Sequence, residues 1–501
     1  MWVPSDGRLT TKDQQVESQR GSQAALLSTK EEKPRWPRGS DFLGSTWAFT
    51  LSLHSLWSLP ISVLQYGGAT YLLLYTLVLI ILGAPLLLLE MTLGQYSGLA
   101  PAQLYAALCP VLGGLGVALC IQAAVRAMLD MAVVMWASQA MWHLLSEQSI
   151  SDGFFYRDVL NMEGSNLEQL GEVVGQLCLI LAIVCVTIFI LTAAGTRSVG
   201  KVCLIAVPVC FMLLVSLTIR SCLATGGPHG VLQLLTPDWT ILTQYSVWLE
   251  VTHQVIFSLQ LGIGAVQAYA SCNTYQHNIV RDCAIIILSH LVWVILAILL
   301  IFSLLGVAHS THTINLANLA ADTSITGHGV WLAGITLIET GLANISYGWF
   351  WAGLFFILLV LVSATSLFGY LEIITSSIIS HRPSILSFKP ALTFTVLTFI
   401  FLMDLILATQ GGIHAYHLLM TFLYSWPALL FSFLTVVSAT LCHGTANLVK
   451  DIGCMSKISL PFCVSSHLSV IYLSILPTFT CVSIRYMIIM HFLVTIVFRH
   501  L

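Results

Sequence analysis

Charged residues are scarce in this chain: they make up 8% of its 501 residues, against 57% for hydrophobic ones. Soluble domains carry about 25% charged residues. Together with a mean hydropathy of +0.89, this scarcity excludes an ordinary soluble domain and predicts an all-α polytopic protein that lies in a lipid bilayer. The few charges are dispersed and sum to −3, so we expect no nucleic-acid partner.

Paired cysteine motifs are also lacking. The 13 cysteines lie mostly inside apolar runs, where cysteine acts as a small hydrophobic residue, and none forms a CxxC pair. No cysteine lies between His143 and Gly175. The sequence therefore predicts neither a zinc site nor a disulfide scaffold.

The first 40 residues contain no apolar core. They hold seven Lys or Arg and five Asp or Glu residues. This composition predicts a disordered tail rather than a signal peptide. The tail spans residues 1–40, and the membrane domain spans residues 41–501.

Long apolar runs are the main feature of the membrane domain. A membrane helix needs about 20 apolar residues, and twelve segments meet this requirement: 42–65, 70–95, 114–145, 172–194, 200–223, 246–271, 283–309, 349–380, 391–409, 412–441, 460–479 and 482–499. With the N-terminus inside, 15 of the 19 Lys and Arg residues fall on the inner side. Because positive charge accumulates on the cytoplasmic side, we expect both termini to be cytoplasmic.

Two of these segments are interrupted. Segment one carries polar residues and a proline at its middle: Ser52, His54, Ser55, Ser58 and Pro60. Segment six carries a similar cluster: Ser258, Gln260, Gly262 and Gly264. Open backbone at membrane depth is tolerated only inside protein or beside a water-filled cavity, so both interruptions indicate a site.

The spacing of the interruptions predicts an inverted repeat. Segments one and six are five apart, and interrupted helices at corresponding positions in two halves are typical of inverted-repeat transporters. Residues 42–223 would form one repeat and residues 246–441 the other, followed by helices eleven and twelve over 460–499. The alternative is that the glycines only allow close helix packing.

Motifs spread over most of the chain resemble those of the neurotransmitter:sodium symporter family, solute carrier family 6. They are YGGATY at 66–71, LE and LGQY within 89–96, GTRSVGKV at 195–202, QVIFSLQLGIG at 254–264, ASCNTYQHNIVRD at 270–282 and TQGG at 409–412. The resemblance implies twelve helices, with helices one and six broken where substrate and sodium bind. It also implies a plasma-membrane symporter, not an enzyme, that moves a small organic solute such as an amino acid or a neurotransmitter-like compound. A homo-oligomer is compatible with it.

The resemblance implies two sodium sites. The second site maps to Ala48, Leu51, Val362, Thr365 and Ser366. Its main-chain carbonyls survive side-chain changes, and its hydroxyls suit a hard cation. The alternative is that both hydroxyls only bond back to the preceding helical turn.

The first sodium site and the chloride site depart from the family. The first sodium site maps to Thr50, Ser55, Ser258 and His290, and an imidazole offers no oxygen. The chloride site maps to Tyr75, Gln254, Ser258, His290 and Val294. Valine replaces a serine hydroxyl there, so chloride dependence stays open.

The resemblance places substrate-binding residues at the two interruptions and on segment three: Thr50, Ser52, Leu53, His54, Arg126, Asp130, Phe257 and Ser258. Arg126 and Asp130 are four residues apart and share a helix face. Intramembrane ionisable residues indicate function, so one reading is recognition of a charged or zwitterionic solute. The other reading is a mutually neutralised pair in a polar cavity wall.

The outer gate of the family is an Arg–Asp pair, and this chain has Ser58 and Met420 at the two positions. Losing both partners avoids the cost of about 3–5 kcal/mol for one uncompensated buried charge. These departures keep a second functional hypothesis open. In it, the chain is a transport-incompetent relative that serves as a binding or trafficking partner.

Overall fold

The computed structural model describes residues 35–150, 153–162, 170–310, 338–423 and 427–456. The predicted tail up to residue 34, the predicted segments 460–479 and 482–499, and most of the connection 310–348 lie outside the described residues. The division into a tail, two repeats and two terminal helices stays a prediction.

Helices account for nearly all of the regular structure in the described ranges, and the prediction of an all-α polytopic membrane protein is confirmed. The helices, numbered in chain order, are α1 Gly39–Thr50, α2 His54–Gln65, α3 Ala69–Ser97, α4 Pro101–Leu108, α5 Gly114–Glu147, α6 Gly175–Thr192, α7 Thr196–Cys222, α8 Gly227–Leu234, α9 Tyr245–Ser258, α10 Ala265–Ala270, α11 Ile279–Ser310, α12 Gly348–His381, α13 Lys389–Asp404, α14 Gly412–Leu423, α15 Pro427–Gly444 and α16 Thr445–Ser456.

Eight of the described helices are long and apolar enough to cross a membrane, and the bent pair α1 and α2 makes a ninth span if counted as one. Each of the first ten predicted segments overlaps one or two of these helices within the described ranges. In lipid, a backbone N–H or C=O must find its partner within the protein, which a helix provides residue by residue.

Segments four and nine are shorter than predicted for a shared reason. Helix α6 begins at Gly175 and α13 ends at Asp404. The chain outside these ends pairs with itself: the Val174 N–H donates to the Ala408 carbonyl at 3.0 Å, and Val173 and Thr409 form an isolated antiparallel bridge. The pairing satisfies backbone groups that the predicted helices would otherwise have used.

The prediction that helices one and six are broken is confirmed. Helices α1 and α2 meet at an angle of 48° across residues 51–53. Helices α9 and α10 are separated by residues 259–264, where Gln260, Gly262 and Gly264 have positive φ angles. A right-handed helix cannot continue through such angles.

The packing of the other helices brings the two breaks together. Helix α12 packs along α5 and also contacts α1 and α10, while α11 packs against α2 and α3. Glycine permits one close approach at the second break, because a Cβ at Gly262 would lie 2.5 Å from the Ala428 carbonyl oxygen of α15. Both breaks, residues 51–53 and 259–264, are buried inside the helix bundle.

Candidate functional site

Serine hydroxyls satisfy the open backbone at the first break. Ser52 Oγ donates to the carbonyl of Ser258 at 2.7 Å and accepts the Ser55 N–H at 3.1 Å. Ser55 Oγ donates to the Ser52 carbonyl at 2.6 Å. The polar residues that mark segment one in the sequence therefore join the two broken helices to each other.

The second break is held by the side chain of Glu90, from α3, and by that of Gln260, which lies within the break. Glu90 Oε1 accepts the Gly262 N–H at 2.8 Å, and both groups are buried. Gln260 donates to Ser366 Oγ at 2.9 Å and accepts the Tyr370 hydroxyl at 2.8 Å. The second break is thereby attached to α3 and α12.

The structure brings together most of the residues that the resemblance assigns to the second sodium site. Thr365 Oγ1 donates to the Val362 carbonyl at 2.9 Å and lies 3.3 Å from the Ala48 carbonyl oxygen. The Ala48 carbonyl is one of the last four of α1, where no further helical turn supplies a donor. Leu51 is the first residue after α1, and it is also buried.

This donor set has the chemistry of a hard-cation site. It offers carbonyl and hydroxyl oxygens in a buried position at the carbonyl end of α1, where the helix dipole favours positive charge. Thr365 also bonds to its own preceding turn, which was the alternative reading. Ser366 instead accepts a hydrogen bond from Gln260, so it links this cluster to the second break.

The residues assigned to the first sodium and chloride sites bond to one another. The Tyr75 hydroxyl lies 2.7 Å from Ser258 Oγ and 3.1 Å from His290 Nε2. Trp293 Nε1 donates to Ser55 Oγ at 3.0 Å. These five side chains are buried, and we call them the polar layer.

The remaining ligands of those two sites are also engaged. Thr50 Oγ1 donates to the Trp47 carbonyl at 2.8 Å. Gln254 Nε2 donates to Ser62 Oγ at 2.9 Å and to Glu250 Oε1 at 2.8 Å. Val294 is fully buried and has no hydroxyl. This donor set does not fit the first sodium and chloride sites as the resemblance draws them.

An aromatic and basic cluster lies beside the first break, and we call it the Arg126 cluster. The Arg126 guanidinium carbon is 5.1 Å from the centroid of the Phe257 ring. The His253 and His54 rings lie 4.3 Å and 5.6 Å from the same ring, centroid to centroid. Arg126 and Phe257 are each 1% exposed. A guanidinium over an aromatic face is a cation–π contact.

Asp130 lies one turn from Arg126 on α5 and is buried. Arg126 thus lies against an aromatic ring, a contact that the spacing of Arg126 and Asp130 does not foresee.

The remaining predicted positions are Leu53, Ser58 and Met420. Leu53 is buried in the first break. Ser58, in the first turns of α2, and Met420, in α14, are half-buried. The roles of all these residues stay predictions.

Sequence reasoning missed three participants. His253 has a signal, because it precedes Phe257 by four residues and so shares its helix face. Glu250 has the same kind of signal, because it precedes Gln254 by four residues on α9. Trp293 carries none, since its contact to Ser55 depends on how α11 packs against α2.

Comparison with known proteins supports the family. The model of the sodium:neurotransmitter symporter family matches residues 33–149 and 138–496. The chain is 28% identical over 417 residues to the sodium-dependent serotonin transporter of Drosophila melanogaster; the match covers 77% of this chain and 66% of that protein. The chain therefore spans just under two thirds of the length of this relative. With a match over nearly its whole length and two broken helices that meet at one buried site, the chain belongs to the sodium:neurotransmitter symporter family.

Proposed function

We propose that this protein is a sodium-coupled symporter of a small organic solute in the plasma membrane, with both termini cytoplasmic. The observation that carries the proposal is the cluster of buried oxygens at Ala48, Val362 and Thr365. It joins α1, which ends at the first break, to α12. A cation held there would stabilise one arrangement of the broken helix against the surrounding bundle.

The residues that would hold sodium are the Ala48 and Leu51 carbonyls, the Val362 carbonyl, and the Thr365 and Ser366 hydroxyls. Bound sodium would supply a positive charge that favours the closed packing of α1 on α12. The chain's own part is to position these oxygens. Ser366 accepts a hydrogen bond from Gln260, so a movement of Ser366 on sodium binding would also act on the second break.

We propose the Arg126 cluster as the place where the solute is recognised. A buried guanidinium binds carboxylates in a planar, two-pronged geometry. Phe257 and His54 provide flat surfaces against which an organic solute can pack. A solute with a carboxylate, such as an amino acid or a related zwitterion, fits this combination. Asp130 then offers a place for an ammonium group.

A second candidate function is favoured by the polar layer. Tyr75, Ser258 and His290 bond to one another where the family resemblance places ions. A protein that kept the fold and lost coupling could serve as a binding or trafficking partner of another membrane protein.

Uptake by purified protein in liposomes distinguishes the two functions. Under an inward sodium gradient, a panel of carboxylate-containing and amine solutes should include at least one that accumulates. The same vesicles with choline in place of sodium should not accumulate it. If a folded, monodisperse protein accumulates no solute under any sodium gradient, the symporter proposal is wrong and the partner function stands.

A further inference from the structure

The starting observation is that each polar side chain expected to bind the first sodium or the chloride makes at least one hydrogen bond within the protein. Chloride binding requires donors. The Tyr75 hydroxyl has one hydrogen, and its neighbours are Ser258 Oγ and His290 Nε2. Ser258 Oγ also lies 3.2 Å from the Val255 carbonyl, to which it can donate. Neither hydroxyl has a hydrogen left over for an anion.

The amide of Gln254 is likewise committed. Its two hydrogens go to Ser62 and to Glu250. Glu250 is four residues away on the same helix, so its carboxyl group reaches the amide directly. Both amide hydrogens that an anion would need are therefore already donated to protein oxygens. Val294 supplies no donor in place of a hydroxyl.

The first sodium site loses oxygen ligands in a different way. Ser55 Oγ accepts from Trp293 and donates to Ser52, which uses its hydrogen and one of its two lone pairs. His290 stands at the fourth position, buried, with its Nε2 3.1 Å from the Tyr75 hydroxyl. An imidazole brings no oxygen to a hard cation.

The two losses also agree electrostatically. A sodium ion and a chloride ion carry opposite charges, so losing both leaves no net charge uncompensated in the bundle. Losing only one would leave such a charge, and an uncompensated buried charge is strongly destabilising. Uncharged hydrogen bonds among helices α2, α3, α9 and α11 then perform the bridging role.

We infer that the polar layer replaces both ions, so that sodium acts on this protein through the second site alone and independently of chloride. The inference rests on the proposed function for its sodium part. The chloride part stands on the hydrogen bonds of the polar layer.

The test is the melting temperature of the purified full-length protein in sodium chloride, sodium gluconate, choline chloride and choline gluconate. Chloride is varied over a concentration series at constant ionic strength, because a specific site saturates and a general salt effect does not. Tyr75→Phe removes the hydroxyl that joins Ser258 to His290. Tyr71→Phe is the matched control, since Tyr71 is an equally buried tyrosine one turn away on α3 that takes no part in the polar layer.

We expect the wild-type melting temperature to show no saturable dependence on chloride with either cation. We expect Tyr75→Phe to lower it by the same amount in chloride and gluconate, and by more than Tyr71→Phe does. A saturable chloride-induced rise in the wild type overturns the inference, and so does a Tyr75→Phe effect no larger than that of the control. A missing sodium effect would count against the proposed function instead, because the choline arms still report on chloride.

Discussion

The second break makes a quantitative prediction at Gly262. This residue has a φ of +69°, and a Cβ there would lie 2.3 Å from Ser432 Oγ and 2.5 Å from the Ala428 carbonyl oxygen. Gly262→Ala therefore meets two penalties. The left-handed conformation costs roughly 1–2 kcal/mol for a residue with a Cβ, and overpacking against backbone that cannot rotate away costs about 1–3 kcal/mol. We expect a total destabilisation of about 2–5 kcal/mol.

Gly353→Ala is the matched control. Gly353 lies inside α12, and a Cβ there would have no heavy atom within 4 Å. In a helix interior, alanine is more favourable than glycine by about 1 kcal/mol. The same substitution should therefore stabilise the protein at Gly353 and destabilise it at Gly262.

The assay is the melting temperature of both purified variants and of the wild type. All three are heated at one fixed rate, because the apparent melting temperature of a protein that unfolds irreversibly depends on the heating rate. A melting temperature of Gly262→Ala equal to or above that of the wild type would refute the reasoning. It would mean that residues 259–264 can relax into another conformation, and that the positive φ angles do not define the second break.

Two further substitutions test other parts of the account. Lys389 Nζ contacts both carboxyl oxygens of Glu372 at 2.9 Å, and both side chains are nearly buried. Lys389→Met should therefore destabilise the protein by about 3 kcal/mol. Adding Glu372→Gln should recover part of that loss in a thermal melt, and no recovery would show that the two groups are not coupled. Arg126→Met should abolish uptake of a carboxylate solute while leaving the sodium-induced change in melting temperature intact. Arg220→Met, which removes an arginine 5.9 Å from the Trp351 ring, is the control and should retain uptake. Retained uptake in Arg126→Met would show that the Arg126 cluster does not recognise the solute.

The broken helices were predictable because their cause is local. Pro60 and the serines of segment one, and Gly262 and Gly264 of segment six, alter the backbone wherever the helices pack. The cluster of oxygens at Ala48, Val362 and Thr365 was predictable in part, since the carbonyl oxygens at Ala48 and Val362 do not depend on side-chain identity.

The polar layer was not predictable to the same degree. The sequence shows that His290 and Val294 replace family ligands, but it does not show that Tyr75 lies between Ser258 and His290. That arrangement depends on the packing of α3, α9 and α11. The contact of Arg126 with Phe257 is of the same kind, because spacing along α5 suggests only the neighbour at Asp130.

Sodium-dependent thermal stabilisation of the purified protein tests the central claim most directly. A ligand that binds only the folded state stabilises it by RT ln(1 + [L]/Kd), or about 1.4 kcal/mol at ten times Kd. We predict that sodium raises the melting temperature of the wild type in a saturable way relative to choline. Thr365→Val keeps the shape of the side chain and removes its hydroxyl, so it should abolish this rise. An equal rise in Thr365→Val, or none in the wild type, would contradict the account.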